Sequence, residues 1–505
     1  MNVGNRQSAL LTSHISSQER NMETWEVEVM DCLVDPTRID TGFVSGTVLG
    51  DVGNEVRVYR GIPYAAPPVG DLRCRPPQPA ALWSGIRECT HWSNRAPQVE
   101  RIPSTRFGEL SEDCLYLNVI TPAKNTTERF PVMVWFHGGG LTIMSANSPM
   151  YCNTALPQHG VVVVTVNQRL GPIGYLAHPL LTEESGINAS GNYGQLDAIA
   201  ALRWVRRNIA AFGGDPNNVT IFGESGGGTK VSHLMVSPLT KGLFHRAMIE
   251  SGNRLISGDS ALPLEEAEKL GEKLAVELGV AGKEGVLAAL RALSWQEILS
   301  AATRIEYPTQ ITVDGWSLPD TVHNIFKAAR QNDVPFIIGC NSVERPGIEG
   351  MKVCFDVMST AKSKGYAYVF SHVPARWRRE GCVAFHGLEL PYVFGFLDSL
   401  RDRDSVTQRL SRSGGAKGPD PGLDETDEWL AETMMTVWAQ FAATGDPCVE
   451  GLVTWPAYEA ATDLYLDIGH TPQVKSGLSE AWVAPPEWAP PNITTGRMDS
   501  AMTSS

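Results

Sequence analysis

The sequence lacks several features that would place it in a specialised class of protein. No apolar run approaches the roughly 20 residues that a membrane-spanning helix needs, and the run at residues 160–166 has only the length of a strand. The nine cysteines form no C-x-x-C pair, so neither zinc nor a redox dithiol is indicated. Basic residues are in the minority, and a net charge of −14 argues against a nucleic-acid partner. With 42% hydrophobic residues, the composition is that of a globular protein.

The two ends of the chain differ in composition from its middle. Residues 1–38 are polar and aperiodic and contain no apolar core of signal-peptide length, so they predict a mobile leader and a cytoplasmic location. Residues 481–505 are rich in proline and predict an extended tail. We therefore expect one folded domain over residues 39–480.

Within that domain, apolar runs of strand length alternate with helical patterns. Residues 115–120, 131–136, 161–166 and 219–222 read as strands, and residues 196–212 carry apolar side chains at helical spacing. Further strands are expected at 334–339 and 366–370, helices at 264–302 and 424–443, and an exposed loop at 403–423. Strands that are apolar on both faces, with helices between them, predict a mainly parallel α/β sheet.

A G-x-S-x-G pattern centred on Ser225 follows the strand at 219–222 and precedes a stretch compatible with a helix. In such a turn the serine backbone is strained, and small flanking residues are needed because larger side chains would clash. The strand before the pattern favours a nucleophilic serine over a simple glycine-rich turn.

A second glycine-rich segment, His137-Gly138-Gly139-Gly140, follows the strand at 131–136. Three consecutive glycines leave backbone N–H groups uncovered, and such groups can stabilise an oxyanion. A glycine hinge is the alternative interpretation, whereas a phosphate-binding loop is disfavoured because neither of its glycine motifs is present.

Many segments in the same order resemble the type B carboxylesterases, which include cholinesterases, liver carboxylesterases and bacterial p-nitrobenzyl esterases. The resemblance spans residues 42–470, and it is strongest at residues 59–65 (YRGIPYA), 111–119 (SEDCLYLNV), 167–171 (NQRLG), 191–194 (GNYG) and 212–216 (FGGDP). It implies an α/β-hydrolase fold and a serine carboxylesterase that needs no metal or cofactor.

The resemblance also implies a catalytic triad. The family acid lies in a G-x-N-x-x-E pattern, which here ends at Glu344, and the family histidine begins an H-G-x-E-L-P-Y-V-F-G pattern, which here begins at His386. The chain order Ser225, Glu344, His386 is that of α/β hydrolases. His386 would act as general base and acid and Glu344 would orient it. Activity should then rise through roughly pH 6 to 7, as His386 loses its proton.

Residues around the triad receive roles by the same resemblance. Gly139, Gly140 and Gly226 would donate the N–H groups of an oxyanion hole, and Glu224 and Ser251 would support the triad. The buried ion pairs of the family would correspond to Arg73 with Glu112 and Arg169 with Asp197.

The chain departs from the family at three places. Gly226 replaces the alanine that most relatives have after the serine, so we expect a looser turn. The family's usual disulfide joins the cysteine of the E-D-C-L motif, here Cys114, to a cysteine whose position is occupied here by Ala96, so that disulfide cannot form. Cys74 or Cys89 is an alternative partner that no motif supports.

The third departure is the short span between Glu344 and His386, which predicts a shortened cap over the site and a less complete exclusion of water. If that shortening displaced the loop, Glu349 or Asp356 would be the alternative acids.

The leading hypothesis is therefore an esterase for small or medium-sized uncharged carboxylic esters. Two alternatives are a lipase for longer acyl chains and a catalytically silent binding protein like the cholinesterase-like adhesion proteins. The natural ester and the oligomeric state stay open.

Overall fold

A computed structural model describes residues 36–100, 107–252, 261–282, 284–401 and 420–484. The predicted tail from residue 485, most of the predicted loop at 403–423 and the predicted leader up to residue 35 lie outside the described residues. The first strand begins at Thr37, two residues before the predicted domain boundary.

Sixteen strands occur in the described residues. They are β1 (Thr37–Ile39), β2 (Gly42–Ser45), β3 (Thr47–Leu49), β4 (Val56–Pro63), β5 (Ile86–Glu88), β6 (Tyr116–Thr121), β7 (Phe130–Phe136), β8 (Val162–Val166), β9 (Gly214–Glu224), β10 (Arg246–Glu250), β11 (Ala261–Pro263), β12 (Ile311–Val313), β13 (Phe336–Asn341), β14 (Gly365–Phe370), β15 (Leu464–Ile468) and β16 (Pro472–Ser476).

The α-helices of the described residues lie between these strands. They are α1 (Ala155–Gln158), α2 (Gly171–Tyr175), α3 (Pro179–Glu184), α4 (Tyr193–Asn208), α5 (Gly226–Val236), α6 (Leu264–Glu277), α7 (Val286–Ala292), α8 (Trp295–Arg304), α9 (Val322–Lys327), α10 (Arg345–Val357), α11 (Ala375–Arg379), α12 (Leu390–Val393) and α13 (Glu425–Thr444).

Eleven of the strands form one sheet in the order β16-β15-β14-β13-β10-β9-β7-β8-β6-β4-β3. Its centre, from β15 to β8, is parallel, and antiparallel strands complete both edges. The mainly parallel α/β sheet expected from the sequence is thus confirmed, with helices between the strands as predicted.

Two hydrophobic cores cover the two faces of this sheet, as the alternation along β7 shows. Val132, Val134 and Phe136 belong to one core, whereas Met133 and Trp135 belong to the other. The central strands are apolar throughout because both of their faces are buried.

Most boundaries shift by a few residues from their predicted positions. The helix expected at 196–212 is α4 followed by a 3₁₀ turn, Ile209–Phe212. This turn ends at Gly213, whose φ of +76° is readily adopted by glycine. The short span between Glu344 and His386 contains α10, β14 and α11. No helix in the described ranges is long and apolar enough to cross a membrane.

Two buried ion pairs stand where the sequence suggested them. Arg73 donates to both carboxylate oxygens of Glu112, at 2.6 and 2.5 Å. Arg169 binds Asp197 in the same two-pronged way, at 2.8 and 2.6 Å, with both side chains fully buried. Neither pair exposes its charges to water, so losing one partner would leave the other charge uncompensated.

No substitute disulfide is formed by the cysteines that the structure describes. Cys74, Cys89 and Cys114 are all buried and free. Burial raises the pKa of the Cys74 thiol to about 11, which makes it a poor nucleophile.

Candidate active site

The candidate residues meet at one edge of the parallel sheet. Ser225 follows β9, Gly139 and Gly140 follow β7, and Ser251 follows β10. Glu344 follows β13, which neighbours β10, and the four strands are adjacent in the order β13-β10-β9-β7. Because the carboxyl ends of parallel strands lie on the same side, residues distant in sequence are brought to one place.

Ser225 lies on a sharp turn between β9 and α5. Its backbone has φ +57° and ψ −121°, a conformation that costs a non-glycine residue free energy. The flanking glycines are sterically required, because a Cβ on Gly227 would lie 1.8 Å from the carbonyl oxygen of Phe136, and one on Gly223 would lie 2.6 Å from it. The strained turn predicted from the G-x-S-x-G pattern is therefore present.

Glu344 holds His386 by one carboxylate oxygen and is itself held by the other. Nδ1 of His386 lies 2.5 Å from Oε1 of Glu344. Oε2 of Glu344 accepts hydrogen bonds from the hydroxyl of Ser251, at 2.7 Å, and from the backbone N–H of Asn341, at 2.8 Å. The structure thus brings Glu344 to the histidine, and Ser251 contacts the acid as the resemblance suggested.

The second imidazole nitrogen of His386 faces the serine turn. Nε2 lies 3.0 Å from Oε1 of Glu224, the residue immediately before Ser225. The sequence assigned Glu224 only a supporting role and gave no indication of this contact. His386 is therefore placed between two carboxylates, one on each ring nitrogen.

These two carboxylates set the protonation of the site. Burial alone would lower the pKa of His386, but the charges of Glu224 and Glu344 and the hydrogen bond that His386 donates to Glu344 outweigh it and raise the pKa to about 10. Burial opposes ionisation of Glu344, yet the charge of His386 and the bonds from His386, Ser251 and Asn341 leave its pKa lowered. The pH at which the imidazole becomes neutral is thus expected above the range of 6 to 7 that the sequence suggested.

The glycine loop after β7 packs directly against the serine turn. Gly139 and Gly140 have φ of +85° and +69°, conformations that favour glycine. A Cβ on Gly226 would lie 2.7 Å from the carbonyl oxygen of Gly140, so these two glycines are in contact. In the described ranges, the N–H groups of Gly139, Gly140 and Gly226 donate to no protein acceptor. Three backbone donors are therefore left beside the serine for a ligand.

Two further buried carboxyl groups near the site were not singled out by sequence reasoning. Glu250 receives a hydrogen bond from the indole of Trp438 at 2.8 Å, and burial raises its pKa to about 8. Glu389 is bound by the side-chain amide of Asn341 at 2.5 Å, and burial with the charges of Glu224 and Glu250 raises its pKa well above the usual range. Both residues lie inside segments that resemble the family's motifs, and their position in those segments is the sequence feature that could have identified them as site residues. Burial and the neighbouring carboxylates therefore favour the neutral form of Glu389.

Comparison with known proteins places these features in context. The model of the carboxylesterase family matches residues 35–353 and 348–484. The para-nitrobenzyl esterase of Bacillus subtilis is 33% identical over 482 aligned positions, which cover 83% of this chain and 92% of that protein. Liver carboxylesterase 1 of Oryctolagus cuniculus is 33% identical, with 89% of this chain and 92% of that protein covered. The two matched segments meet at 348–353, inside the short span between Glu344 and His386.

Solved structures show the same architecture. A p-nitrobenzyl esterase structure superposes with a TM-score of 0.73 at 28% identity, covering 87% of this chain and 96% of the other. The carboxylesterase of Geobacillus stearothermophilus superposes with a TM-score of 0.71 at 29% identity, covering 89% and 100%. The arrangement of sheet, helices and strand ends described above is thus shared with these esterases.

Proposed function

The chain belongs to the carboxylesterase family and is a carboxylic ester hydrolase of the α/β-hydrolase fold, and from that premise we propose that it acts through an acyl-enzyme on Ser225. His386 is the general base and acid in this mechanism, and Glu344 is the residue that orients it. The contact that carries the proposal is the 2.5 Å bond between Glu344 and Nδ1 of His386, because it directs the opposite nitrogen toward the serine turn.

The first half of the reaction forms the acyl-enzyme. Nε2 of neutral His386 accepts the proton of the Ser225 hydroxyl as the oxygen attacks the carbonyl carbon of the ester. The negative charge that develops on the carbonyl oxygen is stabilised by the N–H groups of Gly139, Gly140 and Gly226. The tetrahedral intermediate then collapses, and the imidazolium gives its proton to the departing alcohol.

The second half of the reaction repeats these steps with water. His386 accepts a proton from a water molecule, the resulting hydroxide attacks the acyl carbon, and the carboxylic acid leaves as Ser225 regains a proton. The carboxylate of Glu344 stabilises each transient imidazolium, and Ser251 and Asn341 keep that carboxylate in place. All proton transfers thus pass through His386.

Small or medium-sized uncharged esters are the proposed substrates. The net charge of −14 disfavours approach of anionic esters. The para-nitrobenzyl and liver carboxylesterases to which the chain is similar bear names that refer to esters of carboxylic acids. Ester hydrolysis that becomes faster as the acyl chain becomes longer would favour the lipase alternative.

Hydrolysis of p-nitrophenyl esters of increasing acyl length tests this proposal directly. Wild-type protein should turn over the short esters, and Ser225→Ala should abolish turnover. Ser232→Ala is a matched control, because Ser232 lies buried on α5, the helix that follows Ser225, and within the described residues its hydroxyl donates to the backbone carbonyl of Gly228 at 3.0 Å and to no other group. Turnover that survives in folded Ser225→Ala would refute the mechanism. Labelling of Ser225 by an organophosphate without turnover of any ester would instead identify a silent protein.

A further inference from the structure

A lysine that has no anionic partner among the described residues is buried beside the glycine loop. Lys230 lies on α5, and its relative exposure is 0%. Its ammonium nitrogen, Nζ, donates to the backbone carbonyl oxygen of His137 at 3.2 Å. No carboxylate forms an ion pair with it in the ranges that the structure describes. Within those ranges, the ammonium group therefore contacts the carbonyl oxygen of the first residue of the His137–Gly140 segment and no carboxylate.

Burial of this amine is unfavourable for its charged form. Loss of hydration lowers the pKa of Lys230 to about 7. Titratable groups whose pKa is strongly shifted by burial are concentrated at functional sites. The position of Lys230 on its helix decides what that function is.

Lys230 is placed so that its side chain reaches back along the helix. It lies four residues after Gly226, so the two residues share one face of α5. Side chains on a helix tilt toward its N-terminus, and at that end Gly226 packs directly against Gly140 of the glycine loop. The long lysine side chain thereby extends from the second turn of α5 to the base of the glycine loop.

The first three carbonyl groups of the His137–Gly140 segment are each held by a donor. The oxygen of His137 is bound by Lys230, and the oxygen of Gly138 lies 3.0 Å from Nδ1 of the His137 ring. The oxygen of Gly139 accepts from the N–H groups of Thr142 and Ile143, at 3.1 and 3.2 Å. In a trans peptide the N–H points away from the carbonyl of the same unit. Fixing these oxygens therefore fixes the direction of the N–H groups of Gly138, Gly139 and Gly140.

We propose that Lys230 is a positioning residue for the oxyanion hole, which it stabilises by holding the carbonyl group of His137. The proposal rests on the proposed function, since it assigns the glycine loop to the developing oxyanion. Loss of the lysine contact leaves a buried carbonyl without its donor and lets the first peptide of the loop rotate, which displaces the adjoining peptides that carry the N–H groups of Gly139 and Gly140. A small displacement of the N–H groups lowers the rate without weakening the binding of the neutral ester.

The test compares Lys230→Met, which keeps length and loses the donor, with Lys230→Gln, which keeps an N–H donor on a shorter side chain. Ser232→Ala is the control for a buried change on the same helix. The first measurement is kcat and KM for p-nitrophenyl acetate. The second compares inhibition by an aryl trifluoromethyl ketone with inhibition by the corresponding methyl ketone, because the adduct of the trifluoromethyl ketone with Ser225 carries an oxyanion. Thermal unfolding reports whether each variant is folded.

Lys230→Met should lower kcat by between about tenfold and about 100-fold with KM nearly unchanged. The preference for the trifluoromethyl ketone should fall by a similar factor. Lys230→Gln should lose less of its kcat and of its ketone preference than Lys230→Met, and both quantities should be as in wild type for Ser232→Ala. A folded Lys230→Met with kcat and ketone preference within about twofold of wild type overturns the proposal, and so does a Lys230→Gln that is impaired as strongly as Lys230→Met. If Lys230→Met does not fold, Lys230→Gln decides, because its shorter side chain should still lower both quantities by more than about twofold. Failure of the proposed function is distinguishable, because Ser225→Ala would then retain turnover.

Discussion

Replacing Glu224 by glutamine should move the acidic limb of the pH–activity profile to lower pH. The carboxylate of Glu224 lies 3.0 Å from Nε2 of His386 and stabilises the protonated imidazole. A protonated imidazole cannot accept the proton of Ser225, so wild-type kcat/KM must rise only as His386 loses that proton. Glutamine keeps the shape of the side chain and removes the charge.

The distance in the structure sets the size of this shift. Two unit charges 3.0 Å apart interact by about 5.5 kcal/mol at an effective dielectric constant of about 20, and by about 1.4 kcal/mol at the value of about 80 for water. One pKa unit corresponds to about 1.36 kcal/mol. The limb should therefore move down by between about 1 and about 4 pH units. Since the His386 side chain is 22% exposed, water screens the pair and favours the lower part of that range.

The assay is kcat/KM for a short-chain ester in a pH-stat, from about pH 5 to about pH 10. Glu450→Gln is the control, because this exposed residue changes the net charge equally without contacting the site. The expected result is a limb above pH 7 in wild type and in Glu450→Gln, and a lower limb in Glu224→Gln. A limb that stays in place or moves upward in Glu224→Gln would refute the assignment of this carboxylate as the cause of the raised pKa.

Three further outcomes follow from contacts elsewhere in the structure. Gly226→Ala should lower kcat by about tenfold with little change in KM, because the added methyl group would lie 2.7 Å from the carbonyl oxygen of Gly140. Steady-state kinetics measure both constants, and a kcat equal to that of wild type would contradict this expectation. Because the pKa of folded Lys230 is lowered to about 7, unfolded Lys230 binds a proton that the folded residue lacks between about pH 7 and about pH 10, so Lys230 should add up to about 1.4 kcal/mol per pH unit to the slope of the free energy of unfolding there. The raised pKa of His386 contributes a slope of opposite sign in this range. Urea titrations should show a smaller slope in Lys230→Met, and an identical slope would contradict the assignment. Arg169→Met should lower the free energy of unfolding by about 3–5 kcal/mol because Asp197 is left buried and unpaired, as urea denaturation will show; a loss below about 1 kcal/mol would contradict that burial cost.

The parts of the fold that sequence analysis predicted are those with local or periodic signals. The apolar run of β7 indicates a strand that is buried on both faces. The glycines around Ser225 indicate a turn in which a Cβ would not fit. His386 and Glu344 were found through motifs, and the structure places their side chains in contact. Glu349 and Asp356, the alternative acids, are not the residues that contact His386.

The parts that were missed depend on the direction of side chains in three dimensions. Glu224 was assigned from its motif, but its contact with Nε2 of His386 depends on the turn of the backbone at Ser225. Lys230 would ordinarily be assigned to an exposed helix face. It is buried because α5 is covered on several sides by β7, β9, β10 and α9. No pattern within α5 alone contains that information.

Trapping the acyl-enzyme is the most direct test of the mechanism. Protein mixed with p-nitrophenyl acetate is quenched in acid during turnover, digested and analysed by mass spectrometry. The account predicts one acetyl group per chain, carried by the peptide that contains Ser225, and none in Ser225→Ala. Acetylation at another residue, or turnover in folded Ser225→Ala, would contradict it.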